Sequence, residues 1–267
     1  MAAEEAGGDG ADRGAAVQEY VLDHVMENPS TYHIPFTHES IPIPEPFKLH
    51  GAMVILCSVF LIIIFCVLYK KNAKVPTGLT NLLEVFVVFI RDEICIQNMG
   101  EEDGRKLTPI FCTLFFFILG MNLMGMIPLF SAATGNINVT GALACVTLFF
   151  MIFGAMYKNG ILGFFKAFVP AGVPWPVLFM VTPLEILGVF IKCFALMIRL
   201  FANMLAGHTA LLSLLGLIVT FGYLVSVPVM ILALGISLLE TFVAFLQAYV
   251  FILLSSLFIG MMYHPSH

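Results

Sequence analysis

Residues 182–217, TPLEILGVFIKCFALMIRLFANMLAGHTALLSLLGL, form an apolar stretch that nevertheless contains a glutamate, a lysine, an arginine and a histidine. A helix that crosses a bilayer at right angles needs about 20 apolar residues, and this stretch is much longer. Residues 229–262 form a second apolar stretch of similar length. We therefore expect the chain to contain two long helices that cross a membrane with a strong tilt or a kink.

The composition of the whole chain is also that of a membrane protein. Of 267 residues, 60% are hydrophobic and 11% are charged, whereas about a quarter of the residues in a soluble domain are charged. We predict an all-α integral membrane protein with about five transmembrane helices, one amphipathic surface helix, and a single membrane domain at 51–267. The predicted crossings are 52–69, 109–130, 139–157, 182–217 and 229–262.

Residues 79–99 are apolar but are interrupted by Glu84, Arg91, Asp92 and Glu93. A helix surrounded by lipid tolerates such charges poorly, so we expect this segment to lie along the membrane surface. Before the fourth crossing the chain contains three prolines, which are expected to break any helix there. These prolines are Pro170, Pro174 and Pro176.

The charge distribution predicts the orientation in the membrane. Residues 70–74, KKNAK, follow the first crossing, and the positive-inside rule places them in the cytoplasm. Residues 1–50 form a polar N-terminal segment that contains nine of the 17 acidic residues, and we expect it to be extracytoplasmic. This segment has the features of neither a secretory signal nor a transit peptide. A multi-pass protein of a bacterial inner membrane with a cytoplasmic C-terminus is favoured, although a plastid or mitochondrial gene product would also lack a transit peptide.

The six cysteines all fall in apolar or amphipathic stretches and show no CxxC spacing. They are typical of buried apolar side chains rather than disulfides or metal ligands. No metal site or cofactor is expected.

The charged residues of the long stretch at 182–217 follow a helical pattern. Glu185, Lys192 and Arg199 are spaced by seven residues, so on a helix they form one polar stripe that Asn203 extends. His208 lies nine residues beyond Arg199, on the opposite face. A charge at the middle of a bilayer costs about 2.5–3.5 kcal/mol on insertion scales, so its presence needs a reason.

The last apolar stretch carries a polar face of its own, because Glu240 and Gln247 are also seven residues apart. If the two long helices are antiparallel and Gln247 lies near the level of Arg199, Glu240 comes near the level of His208. We therefore predict a titratable pair of His208 and Glu240. An imidazole and a carboxylate can relay protons, whereas an arginine is effectively never deprotonated and can instead attract an anion.

Each of these residues also has a structural interpretation. Glu240 and Gln247 could make only interhelical hydrogen bonds, which are usual for polar residues in membrane bundles. Glu185 and Lys192 could reach the membrane interface by snorkelling. Arg199 could cap backbone carbonyls or pair with a lipid phosphate.

Four sequence motifs together resemble subunit a of the F-type ATP synthase, the ATPase A chain family of the Fo membrane sector. They are RLFANMLAGH at 199–208, LLETFVAFLQAYVFILLSSLF at 238–258, PLEILGVFIK at 183–192 and NLMGMIP at 122–128. The resemblance covers most of the chain after residue 50. Any one of these motifs alone would be a weak indication, whereas their combination is specific.

The resemblance implies a role in coupling proton flow to ATP synthesis. Arg199 matches the essential arginine that faces a carboxylate of the rotating c-ring and separates two aqueous half-channels. The resemblance also implies proton-path positions at Asn203, His208, Glu240, Gln247 and Glu185, whereas the matching basic position at Lys192 has no assigned role. In the family, Glu and His can occupy the positions of His208 and Glu240 in the opposite order, so the pair tolerates exchange.

The implied partners are the c-ring, the b-subunit peripheral stalk, the rest of the ATP synthase and membrane lipid. We expect no nucleic acid partner. The chain has no phosphate-binding GxxxxGK[ST] motif, so we expect no direct ATP binding and no catalysis by this subunit. The alternative functions are a proton-coupled secondary transporter or another ion channel. A transporter would favour repeated halves with broken helices, and the two halves of this chain are dissimilar.

Overall fold

The computed structural model of the chain describes residues 31–33, 40–42, 49–68, 78–126, 132–168, 175–222 and 225–264. Almost all of these residues are helical, which confirms the prediction of an all-α membrane protein. Two π-helical segments, π1 and π2, each continue an α-helix. In chain order the helices are α1 (Leu49–Leu68), α2 (Leu79–Phe89), π1 (Ile90–Ile96), α3 (Gln97–Met99), α4 (Glu101–Gly125), α5 (Ile137–Phe149), π2 (Phe150–Gly154), α6 (Ala155–Ala167), α7 (Trp175–Phe221) and α8 (Ser226–Tyr263).

A small β-ribbon precedes the helices. Strands β1 (Thr31–His33) and β2 (Ser40–Pro42) pair antiparallel, with Tyr32 opposite Ile41. Most of the predicted polar segment at 1–50 lies outside the described residues. Its extracytoplasmic location stays a prediction.

Four helical stretches in the described part of the chain are long and apolar enough to cross a membrane. They are Glu101–Gly125, Ile137–Ile161, Val177–Ile218 and Ser226–Tyr263. The predicted crossing at 52–69 corresponds to the 20-residue helix α1, whose residues His50–Cys66 form an apolar stretch. The end of this crossing, the following KKNAK joint and the end of the crossing at 109–130 include residues outside the described ranges.

Helix α4 begins at Glu101, several residues before the predicted start of its crossing at Pro109. Its first turn contains Glu101, Glu102 and Asp103, and acidic side chains are stabilising beside the positive end of the helix dipole. Arg105 and Lys106 each donate a hydrogen bond of 2.8 Å to the glutamate four residues earlier. The charged link therefore becomes helical, and Pro109 lies inside the helix rather than at its start.

Helix α7 is also longer than its predicted crossing at 182–217, because it begins at Trp175. Pro176 does not break it, since the backbone N–H groups of the first helical turn have no partner within the helix and a proline there loses nothing. Pro170 and Pro174 lie outside the described residues. With 47 residues α7 is about 70 Å long, and α8 with 38 residues is about 57 Å long. Both exceed the roughly 30 Å hydrocarbon thickness, which agrees with the predicted tilt.

The predicted surface helix at 79–99 consists of three consecutive helical segments, α2, π1 and α3. Several of its large apolar side chains are exposed, among them Leu82 and Val85. Arg91 and Asp92 form an exposed ion pair of 2.7 Å, and the hydrogen bond from Arg91 lowers the pKa of the Asp92 carboxyl. Of the charges predicted to keep this segment out of the bilayer, Glu84 lies in α2, and Arg91, Asp92 and Glu93 lie near the start of π1.

The chain forms two compact units, each built from several parts of the sequence. The first unit comprises Met1–Ser58, Leu119–Asn136 and Phe201–Gln247, and the second comprises Val59–Ile118, Ile137–Leu200 and Ala248–His267. Helices α4, α7 and α8 each contribute residues to both units.

In the second unit the last part of α8 packs through small and polar residues. Ser256 is fully buried and accepts a 2.8 Å hydrogen bond from the side chain of Asn98. Ser255 is equally buried and lies 3.2 Å from the hydroxyl of Thr147. Gly260 approaches so closely that an added Cβ would overlap the backbone carbonyl oxygen of Asn98. This part of α8 therefore depends on the absence of a side chain at Gly260.

We predict that Gly260→Ala destabilises the protein by about 1–3 kcal/mol, because the methyl group would meet a backbone atom that cannot rotate away. Thermal unfolding of the full chain in lipid nanodiscs measures this effect. The matched control is Gly235→Ala on the same helix, where an added Cβ meets nothing within 4 Å. The control should be neutral or stabilising, and equal effects of the two changes would contradict the packing argument.

Candidate functional site

The polar face predicted on the last helix is buried in the first unit. Glu240 is 7% exposed and Gln247 is 5% exposed, and Ala244 lies between them on α8. Among the described residues, neither carboxylate oxygen of Glu240 has a hydrogen-bond partner, and the Gln247 side-chain nitrogen also has none. Buried polar atoms usually have a partner, so three such atoms on one helix face make this face a candidate functional site.

Glu240 lies directly against a glycine of α7. A Cβ added at Gly207 would lie 2.5 Å from Oε1 of Glu240 and 2.8 Å from its carboxyl carbon. Gly207 immediately precedes His208, so the structure brings the carboxylate to the turn of α7 that carries the histidine. His208 itself is half-buried. Because both Glu240 oxygens lack a hydrogen-bond partner, no direct hydrogen bond joins Glu240 to His208, and the relay pair stays a prediction.

A second buried polar group reaches this part of α8 from α4. The Thr134 hydroxyl donates a 2.8 Å hydrogen bond to Oδ1 of Asn122, and Nδ2 of Asn122 faces the carbonyl oxygen of Ala244 at 3.5 Å. Asn122 is 1% exposed and Thr134 is fully buried. By accepting from Thr134, the amide oxygen is fixed, and the amide nitrogen is directed toward the α8 turn between Glu240 and Gln247.

Two of these neighbours were missed by sequence reasoning. Gly207 was part of a recognised motif, but its sequence gave no sign that a carboxylate would lie against it. Thr134 lies in the short 3₁₀ turn Ala133–Gly135, between the predicted crossings at 109–130 and 139–157, and the sequence predicted no role for it. Two sequence features could have pointed to these contacts. One is the glycine that precedes His208, and the other is Asn122 within an apolar helix.

Arg199 lies close to the middle of the span Val177–Ile218 and its side chain is exposed on α7. Among the described residues it forms no hydrogen bond or ion pair. Asn203 follows one turn later on the same continuous helix and is half-buried. That Gln247 and Arg199 lie at the same height along the two antiparallel helices stays a prediction.

The other two members of the predicted stripe differ in their surroundings. Lys192 is half-buried, and its ammonium nitrogen lies 5.6 Å from the ring centroid of Phe258 in the second unit. A cation over an aromatic face at this distance is attracted by the ring. Glu185 is exposed. The structure therefore provides a packing contact for Lys192 and leaves the predicted proton-path role of Glu185 untested.

The described residues contain no group of three or more His, Cys, Asp or Glu side chains that could hold a metal ion. All six cysteines are free thiols. Helices α7 and α8 carry a buried carboxylate without a hydrogen-bond partner among the described residues, an adjacent turn that bears an imidazole, and an exposed guanidinium. Such a set can hold and transfer protons and can attract an anion.

Comparison with known proteins identifies the family. The family model described as ATP synthase A chain matches residues 51–260. The subunit a of Anaeromyxobacter dehalogenans (strain 2CP-C) is 46% identical over 221 residues, which cover 79% of this chain and 56% of that protein. The subunit a of Myxococcus xanthus (strain DK1622) is 48% identical over 202 residues, covering 74% of this chain and 65% of that protein.

A third relative is matched along almost the whole chain. The protein named ATP synthase subunit a 2 of Chlorobaculum tepidum is 39% identical over an alignment 272 residues long, which covers 97% of this chain and 77% of that protein. By contrast, the chain spans about half the length of the Anaeromyxobacter relative. With the matching family model and these identities, the chain belongs to the ATP synthase A chain family, the subunit a family of the F-type ATP synthase Fo sector.

Proposed function

We propose that this chain is the proton-translocating stator subunit of an F-type ATP synthase. In this proposal it forms two half-channels that deliver protons to a rotating c-ring and remove them again, and it catalyses no nucleotide chemistry itself. Family membership supports a place in the Fo sector. The finer mechanism is supported by the arrangement of charged and polar groups on α7 and α8.

The observation that carries the proposal is the exposed guanidinium of Arg199 in the middle of a membrane span, without an anionic partner among the described residues. A charge at this depth is costly unless it is paired. Because the guanidinium cannot release its proton, the cost has to be offset by an anion from outside this part of the chain. A carboxylate on a neighbouring subunit that moves past Arg199 meets this requirement.

Glu240 supports the other half of the mechanism. An ionised carboxylate that is buried without a hydrogen-bond donor is costly, so a proton is a favourable occupant of this site. His208 is on the adjoining turn of α7 and provides an imidazole, whose charge changes near neutral pH. A proton that passes through His208 and Glu240 could therefore neutralise a carboxylate of the ring before that carboxylate moves into lipid.

The division of labour between the residues follows from their chemistry. Glu240 and His208 exchange protons, while Gln247 and Asn203 provide polar side chains along the path. Arg199 attracts the deprotonated ring carboxylate and prevents protons from passing directly between the half-channels. Glu185 serves the second half-channel. Each elementary charge that crosses gains about 2.3 kcal/mol per 100 mV of membrane potential, and this gain is the source of torque.

The proposed partners are the c-ring, the b-subunit peripheral stalk and the remaining subunits of the synthase. The protein is multi-pass, and we place it in a bacterial inner membrane with its N-terminus outside and its C-terminus in the cytoplasm. The distribution of lysine and arginine between the joints supports this orientation.

We predict that Arg199→Ala abolishes proton-driven ATP synthesis while the complex still assembles. Arg199→Lys should also be severely impaired, because a lysine keeps the charge but can lose its proton and lacks the planar fork of donors. ATP synthesis in energised membrane vesicles measures both variants. Arg105→Gln is the control, since Arg105 is exposed and pairs with Glu101 one turn away. Near-normal synthesis by Arg199→Ala would contradict the mechanism.

We predict that Gly207→Ala lowers the proton flux roughly ten- to a hundredfold, because displacing a reacting group by about 1 Å can cost this much. The new methyl group would overlap the Glu240 carboxylate and push it from its position. Gly188→Ala on the same helix is the matched control, since a Cβ there meets nothing within 4 Å. Passive proton flux through the Fo sector in stripped vesicles is the measurement, and equal flux in both variants would exclude a role for the Gly207–Glu240 contact.

We predict that Thr134→Val lowers proton flux roughly three- to tenfold, because loss of the hydroxyl leaves the buried Asn122 oxygen without its donor and frees the amide to turn. Thr134→Ser keeps the hydroxyl and should restore most of the flux. If the valine and serine variants are equally impaired, the volume of the side chain rather than its hydrogen bond is what matters.

Ion transport by the purified chain, reconstituted without the ring, distinguishes the stator from a transporter or another ion channel. Selective ion transport by the chain alone would favour a transporter or channel and would contradict the stator proposal. Transport that appears only when the ring is added supports it.

A further inference from the structure

One buried histidine of the first unit has no part in the proton path described so far. His50 is the second residue of α1 and is 8% exposed. Cys57 lies seven residues later, so the two side chains share one face of the helix. Cys57 is fully buried, and its sulfur would lie 2.9 Å from a Cβ added at Gly120 of α4. The face of α1 that carries His50 is therefore the face that packs against α4.

Helices α1 and α4 are antiparallel where they meet. The first unit contains the N-terminal half of α1 and the C-terminal part of α4, so the residues before Cys57 lie beside those after Gly120. Along α1, His50 lies about 10.5 Å from Cys57, and along α4 the residue that directly follows the helix, Met126, lies about 9 Å from Gly120. His50 is therefore at nearly the same depth as Met126.

The end of α4 also contacts the two long helices that carry the predicted relay pair. The sulfur of Met126 lies 3.6 Å from the hydroxyl of Thr241, which is the neighbour of Glu240 on α8. A Cβ added at Gly125 would overlap the terminal methyl group of Met204, which lies one turn before the histidine of the pair on α7. The depth of Met126 is therefore also the depth of the Glu240 carboxylate and of the turn that bears the imidazole. From α1, His50 reaches this same depth.

The described helices of the first unit contain few side chains that can exchange a proton. Apart from the thiol of Cys57, they are His50, His208 and Glu240. All three lie around the end of α4. His50 is in the first turn of α1, where the positive end of the helix dipole disfavours a lasting positive charge. A proton accepted by this ring is therefore passed on rather than held.

We propose that His50 is a third proton-relay residue, which receives protons at the start of α1 and passes them to the pair of His208 and Glu240. This inference rests on the proposed function. One ring nitrogen accepts a proton from water, and the other releases its proton to water on the side of Glu240, so the ring is neutral again. The ionised carboxylate accepts that proton and becomes neutral, and a flip of the ring restores its starting tautomer.

The test is passive proton flux through the Fo sector of the assembled complex in stripped vesicles. His50→Gln keeps a polar side chain that cannot carry a proton, and it should lower the flux roughly ten- to a hundredfold. His50→Glu introduces a different titratable group and should keep the flux within about threefold of the native value. Unchanged flux in His50→Gln, or an equal loss in both variants, would overturn the proposal.

The matched control is Cys57→Ala, which alters the same face of α1 against α4 and removes no imidazole. Its flux should stay near the native value, and a loss as large as that of His50→Gln would assign the effect to packing and overturn the relay role. If His50→Gln does not assemble, His50→Ala is measured with imidazole in the medium. Imidazole should raise its flux by about threefold or more and leave Cys57→Ala unchanged. Without that rise the proposal is overturned.

The Gly207→Ala variant separates this inference from the proposed function. If Gly207→Ala loses flux whereas His50→Gln keeps it, His50 lies outside the proton path and the stator mechanism stands. If Gly207→Ala keeps its flux and Arg199→Ala also keeps ATP synthesis, the proposed function is wrong, and the role of His50 is overturned with it.

Discussion

The structure depends on one constraint, which is that polar groups inside a membrane protein need partners that water cannot supply. Helix α8 shows two outcomes of this constraint along its length. Ser255 and Ser256 are buried and each lies within hydrogen-bond distance of a side chain from another helix. Glu240 and the amide nitrogen of Gln247 are also buried but have no partner among the described residues.

The buried polar side chains of α8 therefore fall into two groups, those that bond to another helix and those without a partner among the described residues. A serine that bonds across a helix interface gives local cohesion, and its role is complete when the bond is made. A carboxylate without a donor gives no such cohesion, and its burial against Gly207 costs free energy in every state in which it is ionised. In the proposed mechanism this carboxylate takes part in proton transfer, and the same helix achieves packing elsewhere with serine, alanine and glycine.

The sequence predicted the fold well where the physical signal is strong and regular. Long apolar runs identify membrane helices because the bilayer thickness sets a minimum length. The errors lie at helix ends, where local effects decide. The early start of α4 depends on acidic side chains at the helix N-terminus and on pairs four residues apart, and Pro176 is tolerated because it lies in the first turn of α7.

The candidate site was predictable as a set of residues on helix faces, but its contacts were not. Heptad spacing placed Glu240 and Gln247 on one face of α8, because helical periodicity is fixed by geometry. The approach of Gly207 to Glu240 and the orientation of Asn122 by Thr134 depend on how separate helices meet. The periodicity within one helix does not contain this information. Thr134 lies in a short joint between two helices, and its hydroxyl group fixes the side chain of Asn122.

Lys192 and Arg199 show why position alone is not enough to assign a role. The two cations lie seven residues apart on α7, so their helical phase is nearly the same. Lys192 is half-buried with its ammonium near the ring of Phe258, which gives it a local partner. Arg199 is exposed and has no such partner among the described residues. The difference favours a structural contact for the lysine and an external anion for the arginine, since only the arginine is left with a charge whose cost its own helices do not offset.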